Sequence, residues 1–397
     1  MAGAYLRPTL LTVVSFGLLG LLATVPDWRL YRRALSYPAR PATTVAWYQP
    51  QQPVPGVKQP SALPTSSSPP ETGPGDIPAA ALQRASDFAA AQNSVALLVL
   101  HRDRLVLERY WQGHRPDQPV NSMSMVKTLL ALLVGIALEE GHLNSLEDPV
   151  GTYLPAWRHD PRGAITLADL LYMQSGLRND DRTDALGSDL VQLYGGSKVA
   201  QTALRIPLVQ PPGQTFEYNN VNSQILALVL EAATGESFGD YLSSRLWQPL
   251  GAADGFLWLD RPGGRAKPFC CFFATAQDWV RVGQMLLHRG RLGDRQIVPS
   301  AWIDRMVMTS PLEPTFGLHI WLKARTQEYT AVNLAASAPF LAPDSFYLDG
   351  RHHQKVYVIP SYDLVIVRLG EEPPAWDDAV IPNALVAGLR SQPALPP

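Results

Sequence analysis

The sequence predicts an α/β fold, an antiparallel sheet flanked by helices plus a mostly helical second lobe, and three observations predict it. Runs of strand character lie at both ends of the folded region, at 94–111 and 345–369. Between them, 121–264 reads mostly as helix and loop, so the terminal strands are expected to meet in one sheet and the middle to form another lobe. That middle block opens on a run from Met125 to Leu138 in which Lys127 is the single charged residue. Such a run is too short to cross a bilayer and too apolar to leave a helix face for water, which predicts a buried core helix.

In chain order, residues 1–7 are a short charged segment. From Pro8 to Pro26 no residue is charged, and these nineteen residues would reach about 28 Å as a helix, close to the ~30 Å hydrocarbon core. We expect an uncleaved transmembrane anchor. The small-x-small pattern of a cleavage site is poor, because Leu21 stands two positions before Ala23, and no cysteine offers a lipid attachment point. Residues 27–79 read as a Pro-rich linker: eleven of the forty-three residues in 36–78 are proline, mixed with Ser, Thr, Gln and Gly. That composition predicts an extended spacer with no packed core.

The folded domain is expected over 80–394, with a sheet lobe at about 80–120 and 265–394 and a helical lobe at about 121–264. A lead-in helix over 77–91 precedes a hairpin, 94–100 and 105–111, turning at His101-Arg-Asp-Arg104. Helices follow at 167–173, at 223–235 ending on Gly235, at 276–288 and at 300–307. Strands are expected at 316–322, 345–348, 354–359 and 363–369, then a last helix at 381–389. The net charge of −2, with no basic stretch interleaved with aromatics, argues against a nucleic-acid partner. Cys270 and Cys271 are adjacent and cannot staple distant segments. The sequence does not indicate an oligomeric state.

Three stretches carry candidate chemistry. Ser124 and Lys127 are three apart where the apolar helix begins, so they share a helix face. A lysine there loses solvation of its charged form, and burial lowers its pKa from about 10.4. A neutral amine can then take the serine proton. The plainer alternative is a serine that only caps the helix and a lysine that snorkels out. The second stretch is Tyr218-Asn219-Asn220 ahead of a helix, where Asn220 or Asn222 could simply be the cap. In the third, Leu348-Asp349-Gly350-Arg351-His352-His353-Gln354, the glycine lets a ligand approach an edge strand whose backbone N–H could bind an oxyanion. His352 and His353 would point to opposite faces of a strand, so no metal site is expected.

Together, Ser124-Met-Val-Lys127, Tyr218-Asn-Asn220 roughly ninety residues later and a glycine strand motif near the C-terminus resemble the penicillin-recognising serine hydrolases: class C β-lactamases, DD-peptidases and related esterases. The resemblance covers about 80–392. Residues 95–111, Phe269-Cys-Cys-Phe-Phe273 and Gly350-x-x-x-Gln354 are most similar to the 6-aminohexanoate-dimer hydrolase-like branch. It implies a β-lactamase/transpeptidase-like fold, an acyl-enzyme on Ser124, Lys127 as general base, Tyr218 as proton relay and Asn220 holding a substrate amide. The oxyanion hole would combine the Ser124 N–H with one just after Gly350, and no cofactor is implied.

The family's third motif begins Lys or His, then Thr or Ser, then Gly, whereas this chain has Leu348-Asp349-Gly350; Arg351 or His352 would have to supply the missing cation. The expected substrate is therefore a small-molecule linear amide or ester. A cell-wall DD-peptidase or β-lactamase, and a non-catalytic binding protein on the same fold, are the alternatives. Family habit implies an extracytoplasmic catalytic domain. Arg29, Arg32 and Arg33 after the apolar run, against Arg7 before it, point the other way.

Overall fold

The computed structural model describes residues 27–60, 62–64, 75–327 and 335–391. Helix α1 (Trp28–Leu35) and strand β1 (Gln51–Val54) come first, then α2 (Ala79–Ala91), the hairpin β2 (Ser94–His101) and β3 (Arg104–Tyr110), and the short β4 (Val120–Asn121). The helical block holds α3 (Val126–Glu139), α4 (Leu167–Leu171), α5 (Asp189–Gly195), α6 (Val199–Arg205), α7 (Asn220–Thr234) and α8 (Phe238–Leu242). Strands β5 (Gly255–Trp258) and β6 (Phe272–Ala274) lead to α9 (Ala276–Leu287), the small hairpin β7 (Arg291–Leu292) and β8 (Arg295–Gln296), and α10 (Ser300–Met306). The chain closes with β9 (Phe346–Gly350), β10 (Gln354–Ile359), β11 (Leu364–Gly370) and α11 (Val380–Arg390).

The expected joining of the two ends is present. The main sheet runs β3-β2-β11-β10-β9, antiparallel throughout, with Val367 of β11 opposite Leu98 of β2 and Val356 of β10. Both faces of β11 are covered. Val365 and Val367 join the larger core beneath α9, while Leu364 and Ile366 pack with Leu82, Ala85, Ile381 and Leu385 of α2 and α11. A strand covered on both sides loses its polar alternation, which is why 364–370 reads as a nearly unbroken apolar run. Each such side chain removed from water contributes about 1.5–3 kcal/mol.

Helix α3 is buried on every side, with Leu129, Leu130, Leu132 and Leu133 fully covered. Gly135 lets α10 come close: a Cβ there would stand 2.1 Å from the Trp302 ring, whose Nε1 donates to Ala131 O at 3.0 Å. Helix α7 ends where expected, at Gly235 with φ 73°.

Two expectations are corrected. The segment 27–57 is not a free spacer. Strand β1 pairs antiparallel with β5 in a second sheet ordered β1-β5-β6-β4, and Tyr48 is fully buried against Trp258 and Phe273. Aromatic residues spaced among the prolines anchor the segment, which the proline count alone concealed. Residues 316–322 are not a strand: His319 has φ 52°, Gly317 N donates back to Ile320 O at 2.8 Å, and only single bridges, Phe316 to Trp321 and Trp321 to Tyr347, remain. Among the described residues no helix is long and apolar enough to cross a membrane; the expected anchor at 8–26 lies outside them.

Candidate active site

Ser124 lies on a 3-10 turn, Met123–Met125, that feeds directly into α3. It makes no side-chain cap bond, so the capping alternative does not hold. Lys127, one helical turn on, does not snorkel: it is 2% exposed, and its Nζ donates to Ser124 Oγ at 2.8 Å and to the Phe269 carbonyl. Burial lowers the amine pKa to about 7, with the Asp349 carboxylate opposing the fall.

Tyr218 closes the group from the other side. Its ring lies 5.2 Å from Lys127 Nζ and stacks on Trp321 at 5.8 Å. Desolvation, the largest influence, raises the phenol above its ordinary pKa, and the neighbouring Ser124 hydroxyl opposes the rise. Under Lys127 sits His319, whose ring nitrogens are 3.3 Å from Lys127 O and Leu170 O. Burial first, then the Lys127 charge, lower its pKa to about 3, so the imidazole is neutral.

Asn219, not Asn220 or Asn222, caps α7: its side chain accepts from Val221 N at 2.9 Å and donates to Leu177 O and Arg178 O. Asn222 is used internally, accepting from Ser175 Oγ at 2.5 Å. Asn220 is thereby left on the wall of a cavity of about 530 Å³ that also reaches Ser124, Tyr218 and the exposed Arg351. Gly350, at the end of edge strand β9, abuts the turn carrying the serine, for a Cβ there would be 2.3 Å from Ser122 O. The backbone that approaches this glycine is the chain's own.

His352 does not reach the cavity; its ring pairs with Glu372. The Asp349 charge is balanced: its carboxylate oxygens lie 2.9 Å from Arg325 and 2.8 Å from Lys355, and Lys355 also holds Asp378 at 2.6 Å. Sequence reasoning missed Arg325, Lys355 and Asp378, which come from three separate segments and follow no motif. It also missed α1 and Tyr37, which wall the cavity. Cys270 and Cys271 form a vicinal disulfide next to Phe269, and Cys270 faces the cavity.

A serine bonded to a buried lysine, with a tyrosine beside both and a glycine edge strand against them, defines the class of penicillin-recognising serine hydrolases. The chain belongs to the beta-lactamase family, whose model matches residues 81–387. Among curated proteins it is 28% identical over 226 residues to 6-aminohexanoate-dimer hydrolase of Paenarthrobacter ureafaciens, covering 53% of this chain and 56% of that one. It is 26% identical over 167 residues to Protein flp of Staphylococcus aureus strain MW2, covering 39% and 33%. The chain thus spans about half the length, or less, of these curated relatives. In fold it matches a provisionally named 6-aminohexanoate-dimer hydrolase from Bacillus anthracis, with TM-score 0.67, 20% identity, and 88% and 90% of the two chains covered. A D-stereospecific amidohydrolase from Streptomyces sp. gives TM-score 0.56 at 18% identity, covering 78% and 98%.

Proposed function

We propose that the protein is a serine hydrolase that cleaves a linear amide or ester through an acyl-enzyme on Ser124. The observation that carries this reading is the 2.8 Å contact between Ser124 Oγ and a buried amine of pKa about 7. Once Lys127 is neutral, the same contact carries the proton the other way, from hydroxyl to lone pair, and Oγ attacks the substrate carbonyl. Tyr218 stays a phenol and relays to the leaving group the proton that Lys127 took from the serine, giving up its own and receiving that one in its place, and the leaving group departs as the acyl–Oγ bond forms. Water then cleaves that bond and restores the serine. The N–H groups of Ser124 and Arg351 are assigned to the oxyanion, and Asn220 to the substrate amide.

The relative named 6-aminohexanoate-dimer hydrolase supports linear amides as the first substrates to screen. The β-lactamase or DD-peptidase alternative needs a cation for the substrate carboxylate. Arg325 and Lys355 are held by Asp349 and Asp378, which leaves Arg351 on the cavity wall for that task. Leu348 stands where the third motif of the family carries Lys or His, so a chromogenic cephalosporin should be a poor substrate beside a short activated ester.

The test uses the full chain in detergent with p-nitrophenyl acetate and a fluorophosphonate, beside Ser124→Ala and Lys127→Ala. Wild type should turn over the ester and gain the adduct mass at Ser124, and both variants should lose turnover. Absence of adduct and turnover in a folded wild type would overturn the reading in favour of a binding protein. We also assign 8–26 as a membrane anchor with the folded domain extracytoplasmic. Burial of Arg33 among backbone carbonyls gives that residue a packing role that owes nothing to topology. A C-terminal phosphatase fusion that is expressed but silent would refute export.

A further inference from the structure

Helix α1 has one face on the cavity and one exposed face. Leu30, Arg33 and Ala34, with Tyr37 one turn beyond, line the cavity that holds Ser124. The opposite face carries Trp28, Tyr31 and Leu35 at i, i+3 and i+7, exposed by 53%, 40% and 89%. Arg29 and Arg32 flank it, their guanidinium carbons 4.9 and 5.3 Å from the Trp28 ring centroid. One residue separates this helix from the uncharged run 8–26. Tryptophan, tyrosine and arginine on the water-facing side of a helix next to such a run match the composition of a membrane interface, where aromatic rings sit among headgroups and cations attract anionic lipid.

The cavity lining is mostly apolar, with Arg33, Asn179, Asp181 and Arg351 among its polar members. Leu186, Leu190 and Tyr194 line it together with Leu30 and Tyr37, the Tyr37 and Tyr194 rings being 6.2 Å apart, and Tyr37 and Leu186 are 44% and 41% exposed. Apolar side chains, Tyr37 of the segment that follows α1 among them, thus share one cavity with the nucleophile and are partly exposed at Tyr37 and Leu186.

We propose that the outer face of α1 rests on the bilayer surface and that the cavity takes the apolar chain of a membrane-resident amphiphile, whose ester or amide carbonyl then reaches Ser124. This rests on the hydrolase reading and on the anchor at 8–26. Hydrolysis consumes one water: the acyl–Oγ bond forms as the acyl–leaving-group bond breaks with a proton passing to the leaving group, and water then releases the fatty acid.

The experiment reconstitutes the full chain in vesicles of phosphatidylcholine and phosphatidylglycerol and compares p-nitrophenyl acetate in the water with p-nitrophenyl palmitate in the vesicles. The triple variant Trp28→Glu, Tyr31→Glu, Leu35→Glu touches only the outer face. It should leave acetate turnover unchanged and lower palmitate turnover about tenfold or more. Ala34→Trp, which fills the cavity, should lower the palmitate-to-acetate ratio. If acetate is not hydrolysed and Ser124 takes no fluorophosphonate, the hydrolase reading itself has failed. If acetate is turned over but palmitate is not, or the triple variant hydrolyses palmitate as wild type does, the membrane-substrate proposal alone falls. A stable wild-type dimer in detergent that the triple variant abolishes would also overturn it, by showing that a second copy covers this face.

Discussion

A side chain on Gly350 would place its Cβ 2.3 Å from the carbonyl oxygen of Ser122. The φ of −134° at Gly350 is ordinary extended backbone, so the glycine is required by closeness and not by conformation. Strand β9 and the serine turn therefore touch backbone to backbone, as two oxyanion donors contributed by different elements would need.

Gly350→Ala should force these elements apart by about 1 Å, from 2.3 Å toward an ordinary contact. Turnover of p-nitrophenyl acetate should fall about 10²–10³-fold, the usual consequence of losing one oxyanion donor. Thermal unfolding followed by circular dichroism should still show a folded protein. Activity within a few-fold of wild type would dissociate Gly350 from the chemistry.

The pH dependence follows from Lys127. The amine must be neutral to accept the serine proton, so kcat/KM should be low in acid and rise to a plateau above about pH 7. His319, held neutral down to about pH 3, and Tyr218, raised above its ordinary value, add no limb in that range. The Asp349 charge favours the protonated amine, so Asp349→Asn should move the acid limb to lower pH. A limb that stays in place would show that Lys127 does not set it.

Arg33 ties the N-terminal segment to the helical lobe. Its guanidinium donates to Gly195 O at 2.8 Å, Asp260 O at 3.0 Å and Gln49 O at 3.1 Å, and lies 4.7 Å from the centre of the Trp258 ring. Arg33→Ala leaves the Gly195 and Asp260 carbonyls buried without a donor, Gln49 O keeping Trp258 Nε1 at 3.3 Å, and should destabilise the fold by about 2–4 kcal/mol in urea unfolding. A variant within about 0.5 kcal/mol of wild type would mean that water replaces the guanidinium.

The nucleophilic pair was legible because a lone lysine in an apolar helix violates the composition around it. The terminal hairpin and the last two strands were legible because their runs are short, apolar and separated by polar turns. Arg33, Tyr48 and Tyr37 were hidden by the prolines around them, whose extended conformations are compatible with packing whenever aromatic side chains supply the buried area. Asn219 was passed over for Asn220 because neighbouring asparagines cap equally well in sequence, and only the turn entering α7 decides between them. Residues 316–322 have strand composition, but Gly317 and the left-handed His319 fold them back on themselves.

Arg325, Asp349, Lys355 and Asp378 were invisible for another reason: no local periodicity records an ion pair between segments tens of residues apart. Lys355 is fully buried between Asp349 at 2.8 Å and Asp378 at 2.6 Å. The Asp378 carboxyl stays ionised because neighbouring Lys355, with His353 and Arg325 helping, holds its pKa well below the ordinary range against the opposing cost of burial. Lys355→Met keeps the volume and removes the cation, leaving two carboxylates in the interior with Arg325, the His353 ring and Trp376 Nε1 as their remaining partners. Unfolding in urea should show a loss of about 3–5 kcal/mol, the penalty for stripping one partner from a buried pair. Because Asp378 would then be more readily protonated, that loss should shrink as the pH falls toward the carboxylate range. A deficit that does not change with pH would mean that Lys355 acts by packing alone.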